Sequence, residues 1–162
     1  MAWIDYSYTV DTRIPAPIDW VWRFLVQPDL MPMSRESVVL VATAEGVPGQ
    51  TGHVFFFEVL HDHGSHSFKT KVLRGEEPTV WVTLTEVAGW SGKEYYTLTA
   101  LEGGLFTDVR FLGAVSEEAG ERPARELDTL RRQRADEMRT KEEHAAAYFA
   151  RVVTAAYEAQ RQ

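Results

Sequence analysis

Ile14-Pro15-Ala16-Pro17-Ile18-Asp19-Trp20-Val21-Trp22-Arg23-Phe24-Leu25-Val26 is the stretch whose reading decides the rest of the chain. Pro15 and Pro17 end an extended segment and preset the backbone of a first helical turn. After them Ile18, Val21, Trp22, Leu25 and Val26 recur on one helical face. Such a face has to be buried. Upstream, Tyr6, Tyr8, Val10 and Ile14 alternate with Asp5, Ser7, Thr9 and Asp11, the period of a half-buried strand. Downstream, nearly everything as far as Ala114 again reads as strand.

The segments follow one another with clear punctuation. Residues 27–32 form a turn into a short second helix stopped by Pro32. Residues 38–44 are β-rich, Gly46, Pro48, Gly49 and Gly52 mark a turn, and residues 53–61 resume the sheet. There Phe55, Phe57 and Val59 share one parity and Val54, Phe56 and Leu60 the other, so the pattern leaves the inward side open. A loop at 61–66 leads to Phe68, Thr70 and Val72, which alternate with the water-facing Lys69 and Lys71. After a turn at 75–78, Val80, Val82 and Leu84 form a wholly apolar parity against the mixed set Trp81, Thr83 and Thr85. The apolar set is expected on the concave side, carrying Glu86 with it near the strand end. A turn over 88–93 precedes a strand at 94–101 with Tyr96 and Leu98 in one register. Gly103-Gly104 then leads into Leu105, Thr107, Val109 and Phe111.

From Ser116 onward helix formers dominate, with Glu121–Arg125, Asp128–Arg132 and Glu137–Lys141 at i,i+4 spacing on a solvated face. Met138, Ala145, Tyr148, Phe149, Val152 and Ala156 mark the stripe that packs on the sheet. A single helix over 123–162 would be about 60 Å long, so a break or overhang is expected before Met138.

In this order of elements the chain resembles the START-like, or SRPBCC, superfamily of helix-grip proteins, and within it the polyketide cyclase/dehydratase and lipid-transport branch. The resemblance spans nearly the whole chain. It rests on Ile14-Pro15-Ala16-Pro17 followed by Val21-Trp22 and Leu25, then on Gly52 opening a strand, Glu77-Pro78 before another, and Glu102-Gly103-Gly104 ahead of the last strand. It implies an α+β helix-grip fold: a curved antiparallel β-sheet wrapped around a long C-terminal helix, with two short helices after the first strand.

Size and composition narrow the function. The 162 residues, 44% of them hydrophobic, fit one ligand-binding domain over 1–162 with a core and an internal cavity. A net charge of −7 leaves no basic excess for a nucleic-acid surface. With no cysteine, disulfide, thiolate and cysteine–zinc chemistry are excluded. No leader-like segment and no run of 18 apolar residues is visible, so a cytoplasmic protein without a membrane span is expected. His61, Asp62, His63 and His66 have ligand-like spacing but sit in a hairpin loop, and no metal is expected there. No nucleophile elbow, phosphate loop or dinucleotide fingerprint occurs, and no cofactor is expected.

What remains is a cavity between sheet and last helix that takes a hydrophobic or aromatic small molecule. By strand parity Tyr6, Tyr8, Thr70, Glu86 and Tyr96 supply its polar groups, and Phe68, Val82, Leu84, Leu98, Val109 and Phe149 its apolar lining. The main reading is a protein that binds or carries such a ligand. One alternative is a polyketide aromatase/cyclase or dehydratase using Glu86 as general acid/base. Another, implied by the resemblance alone, is a protein-interaction domain like the activators of heat-shock chaperone ATPases.

Overall fold

The alternation upstream of Pro15 forms strand β1 (Ala2–Ile14), and the apolar face behind Pro17 forms helix α1 (Ile18–Val26). The structure, a computed structural model, describes residues 2–162. Helix α2 (Met31–Ser34) follows, then strands β2 (Val38–Glu45), β3 (Val54–His61), β4 (Gly64–Glu76), β5 (Val80–Val87) and β6 (Trp90–Leu101). A single 3-10 turn at Glu102–Gly104 precedes β7 (Phe106–Gly120), and helix α3 (Ala124–Gln160) ends the chain. All strands lie in one antiparallel sheet ordered β1-β7-β6-β5-β4-β3-β2. Among the described residues, no helix is long and apolar enough to cross a membrane.

Period-two geometry divides the sheet into two faces. On β1, Ile4, Tyr6, Tyr8, Val10 and Ile14 are buried on the helix side, as the alternation requires. The outer face pairs charge across the β1–β7 register: Asp11 with Arg110 at 3.0 Å and Arg13 with Asp108 at 3.2 Å. Both pairs are exposed, so each contributes no more than about 1 kcal/mol.

Strand β5 reverses the expectation drawn from its apolar parity. Trp81 pairs with Tyr96, and Thr83 with Glu94, so Trp81, Thr83 and Thr85 face the helix side while Val80, Val82, Leu84 and Glu86 face outward. Val82 is nevertheless buried. Its register partners on the two adjacent strands are Arg74 and Tyr95, long side chains that shelter it from water. The turns are tighter than expected: only Asp62 and His63 separate β3 from β4, and only Ala88 and Gly89 separate β5 from β6. Gly89, at φ +77°, supplies the left-handed backbone such a turn needs. Strand β7 runs to Gly120, past the change in composition at Ser116, because Glu117 and Gly120 still pair with β6 and β1.

Helix α3 has no break before Met138. Its 37 residues span about 55 Å, and it lies against β1, whose 13 residues pair with the 15 of β7 in a ribbon about 43–50 Å long. Helix and ribbon therefore match in length without a kink. From its start as far as Ala146, α3 sets Leu127, Leu130, Ala135, Met138 and Ala146 against Ile4, Tyr6, Tyr8, Val10, Phe111 and Val115. The second half sets Phe149, Val153, Ala156 and Tyr157 into a second cluster with Ile14, Trp22, Leu25, Leu98 and Val109. Ala145, expected on this stripe, is exposed. Trp22 is 2% exposed, and Trp20 donates its indole N–H to the Val153 carbonyl at 3.1 Å, fastening α1 to the end of α3.

Candidate functional site

The register places aromatic rings side by side across four neighbouring strands of the concave face. Trp81 on β5 lies 5.4 Å from Tyr96 on β6, Tyr96 lies 4.9 Å from Phe111 on β7, and Phe111 lies 5.7 Å from Tyr8 on β1. All are tilted ring pairs at favourable separations. The row crosses the sheet at right angles to its strands, beneath the middle of α3.

A polar cluster interrupts this row. Glu94 lies two residues before Tyr96, hence on the same face, and accepts a hydrogen bond from the Tyr96 hydroxyl at 3.1 Å. Opposite Glu94 stands Gly113, where an added Cβ would lie 2.4 Å from the Tyr8 ring. The missing side chain lets the Tyr8 phenol lie over β7 toward Glu94. From the helix, Glu142 lies four residues after Met138 and four before Ala146, both packed on the sheet, so it projects onto the same space. Arg35, just after α2, donates to the carbonyls of Leu25 at 2.7 Å and Phe24 at 3.5 Å, capping the negative end of α1.

The electrostatics follow from enclosure. Burial, and secondarily the neighbouring Glu94, push the Glu142 carboxyl up to about 7. Burial also raises Glu94, against the pull of the Tyr96 hydrogen bond and Arg35. The Tyr8 and Tyr96 hydroxyls are raised, first by burial and then by nearby carboxylates. Burial lowers the Arg35 guanidinium, which Tyr96, Glu94 and Glu142 partly restore. By accessible surface Glu94, Tyr96, Arg35 and Glu142 are only half-buried, yet protein surrounds them closely enough for desolvation to dominate. Both observations fit groups on the concave face that protein surrounds and water still reaches.

Of the residues singled out from the sequence, Tyr8 and Tyr96 meet at this cluster. Tyr6 lies on the same face one step along β1, where burial and then Glu117 raise its hydroxyl. Thr70 and Phe68 also face inward, but the Thr70 hydroxyl is shared with Thr85 at 2.7 Å, and Phe68 stacks on Phe57 at 5.2 Å. Leu98, Val109 and Phe149 belong to the packed core around α1. Val82, Leu84 and Glu86 lie on the opposite face, where Glu86 is exposed and Leu84 edges a shallow depression of about 460 Å³ with Asp5, Ser91 and Lys93. Glu94, Glu142 and Arg35 escaped the sequence reading. The signal for Glu94 was its shared parity with Tyr96, and for Glu142 its place in the middle of an apolar helix stripe; Arg35 carried none.

The histidines gather at the exposed β3–β4 hairpin tip. The His61 and His66 rings stack at 4.5 Å, and the His63 amide donates to His61 Nδ1 at 3.2 Å. Among the described residues, no group of three or more His, Cys, Asp or Glu side chains is arranged to hold a metal ion.

No protein-family model and no curated protein matches the sequence. Solved structures do match in shape. A Staphylococcus aureus protein of unknown function superposes with a TM-score of 0.82 at 10% identity, over 96% of this chain and 98% of the other. Ara h 8.0201 superposes with a TM-score of 0.68 at 13% identity, over 94% and 99%. The chain has the helix-grip fold. The di-domain ARO/CYC protein StfQ of the steffimycin biosynthetic pathway shares the helix-grip architecture as well, with a TM-score of 0.72 at 12% identity. That match covers 98% of this chain and 52% of StfQ.

Proposed function

We propose that this helix-grip domain binds a hydrophobic or aromatic small molecule on the concave face between the sheet and α3. The observation that carries the reading is the set Glu94, Tyr96, Glu142 and Arg35, held in an otherwise aromatic wall at the middle of the fold. Enclosed polar groups without full pairing cost about 1–3 kcal/mol each, and pairing with ligand polar atoms offsets that cost. Flat rings beside them suit a flat apolar ligand body. The ARO/CYC proteins named for biosynthetic pathways, StfQ and BexL, share the fold and support a small-molecule ligand.

The test is titration of the protein with 2-naphthol and 2-tetralone, following tryptophan fluorescence through Trp81 on the concave wall. Saturable quenching that is unchanged by Glu86→Gln and weakened at least about tenfold by Tyr96→Leu is the expected result. Lack of saturation by either compound, or equal binding in Tyr96→Leu, would refute the site.

A second reading, proton transfer on a bound carbonyl compound, loses Glu86 to the convex face but gains Glu142. A carboxyl held near neutrality beside a ligand space is suited to acid–base work.

A further inference from the structure

We propose that the ligand on the concave face carries a protonated amine, seated between Glu94 and Glu142 with its hydrocarbon body along the Trp81, Tyr96, Phe111 and Tyr8 rings. The inference rests on the proposed concave binding site and adds the chemical class of its occupant.

Charge is the first argument. Two carboxyls and one guanidinium face the space, so with both acids ionised the cluster carries one uncompensated negative charge. Arg35 does not cancel it at close range, because its hydrogen bonds go to the carbonyls of Phe24 and Leu25 and to neither acid. An enclosed, unpaired carboxylate is costly, and two occupants relieve it: a proton, or a cation brought by a ligand.

Tyr8 supplies an independent observation. It is 8% exposed, its ring lies over Gly113 opposite Glu94, and its raised hydroxyl feels Glu142 and Glu94 only through space, without a hydrogen bond to either. The Tyr8 ring is buried, while its hydroxyl makes no side-chain or backbone hydrogen bond among the described residues and keeps some access to water. An ammonium N–H would give its oxygen a hydrogen bond. The ring row adds π-faces, which attract a cation by roughly 0.5–2 kcal/mol each where water is excluded. A neutral ligand of the same shape gains neither term.

The charged and titratable groups around Glu142 are Glu94 and Tyr96 from β6, Tyr8 from β1, Arg35 following α2, and Lys141 on its own helix. A bound ammonium favours the ionised form of Glu142, so the amine displaces the proton that Glu142 holds at neutral pH. Affinity for the amine therefore rises with pH, and binding releases a proton.

The experiment is calorimetric titration of the intact protein with 2-aminotetralin and with its neutral counterpart 2-tetralol, at pH 6 and pH 8, in two buffers of different ionisation enthalpy. At pH 8 the amine should bind at least tenfold tighter than the alcohol. This advantage should shrink by about tenfold at pH 6, as expected for one linked proton titrating near 7. At pH 6 the buffer dependence should show close to one proton released with the amine, falling to about a tenth of a proton at pH 8, and none with the alcohol at either pH. In Glu142→Gln the amine's advantage should fall to about one. Equal affinities in the wild type, a tighter alcohol, or an advantage indifferent to pH would overturn the amine while leaving the concave site standing. Saturation by neither compound would overturn both. The wild-type pH series decides the matter even if Glu142→Gln fails to fold.

Discussion

Glu142 holds its proton more tightly in the folded chain than an unfolded carboxyl does, and this has a direction in pH. Because the folded value is raised to about 7, the stability linked to this group is fully present below the ordinary carboxyl range near 4.5 and is lost as pH rises to 7 and beyond. The loss is on the order of 3 kcal/mol, at about 1.4 kcal/mol per unit. Glu142→Gln mimics the protonated acid, so it should melt above the wild type at pH 8, with the difference closing toward pH 5. Thermal melts of the two proteins across that range provide the check, and a constant difference would contradict the linkage. Gly75 tests a different constraint. A Cβ there would lie 2.0 Å from the Gly49 carbonyl oxygen, a backbone atom that cannot swing away. Gly75→Ala should therefore cost about 1–3 kcal/mol or more, read from urea denaturation, by forcing the 46–52 turn off strand β4.

At the level of elements, α1 is the joint between sheet and C-terminal helix. Trp22 is nearly fully buried in the cluster that also holds Ile14 and Val153. Trp22→Ala should destabilise by about 3–5 kcal/mol, and an unchanged thermal midpoint would show that this face is not seated. Trp20→Phe should cost only about 0.5–1.5 kcal/mol, because the ring stays and only the N–H to the Val153 carbonyl is lost. The α1 segment was legible because prolines and apolar spacing act locally, without reference to the rest of the fold. Strand β1 was legible because one of its faces is polar from Asp5 to Arg13. Strand β5 was not. Its inner face carries Thr83 and Thr85, with the Thr85 hydroxyl satisfied by Thr70, while its outer face hides Val82 beneath neighbouring side chains. Hydrophobicity alone therefore points the wrong way. For the same reason Glu142 was passed over: a charge on a helix reads as solvated unless the stripe through Met138 and Ala146 is followed across it.

Across the whole molecule, the sheet's strand order brings the first strand against the last. Strand β1 sits at the sheet edge, bonded to β7 alone and covered by α3. During synthesis it emerges before every other strand, yet nothing it can pair with exists until Phe106 and beyond have been made. At about 5–20 residues per second that is a wait on the order of 5–20 s. Throughout it Ile4, Tyr6, Tyr8 and Val10 stand open to any other apolar surface in reach. Of the strand pairings this one is the most distant in sequence, which makes zipping β1 onto β7 a slow step in refolding. A nascent chain halted before Ala124 should be a client for whatever holds exposed strands in the cell, and release of the last helix should end that dependence.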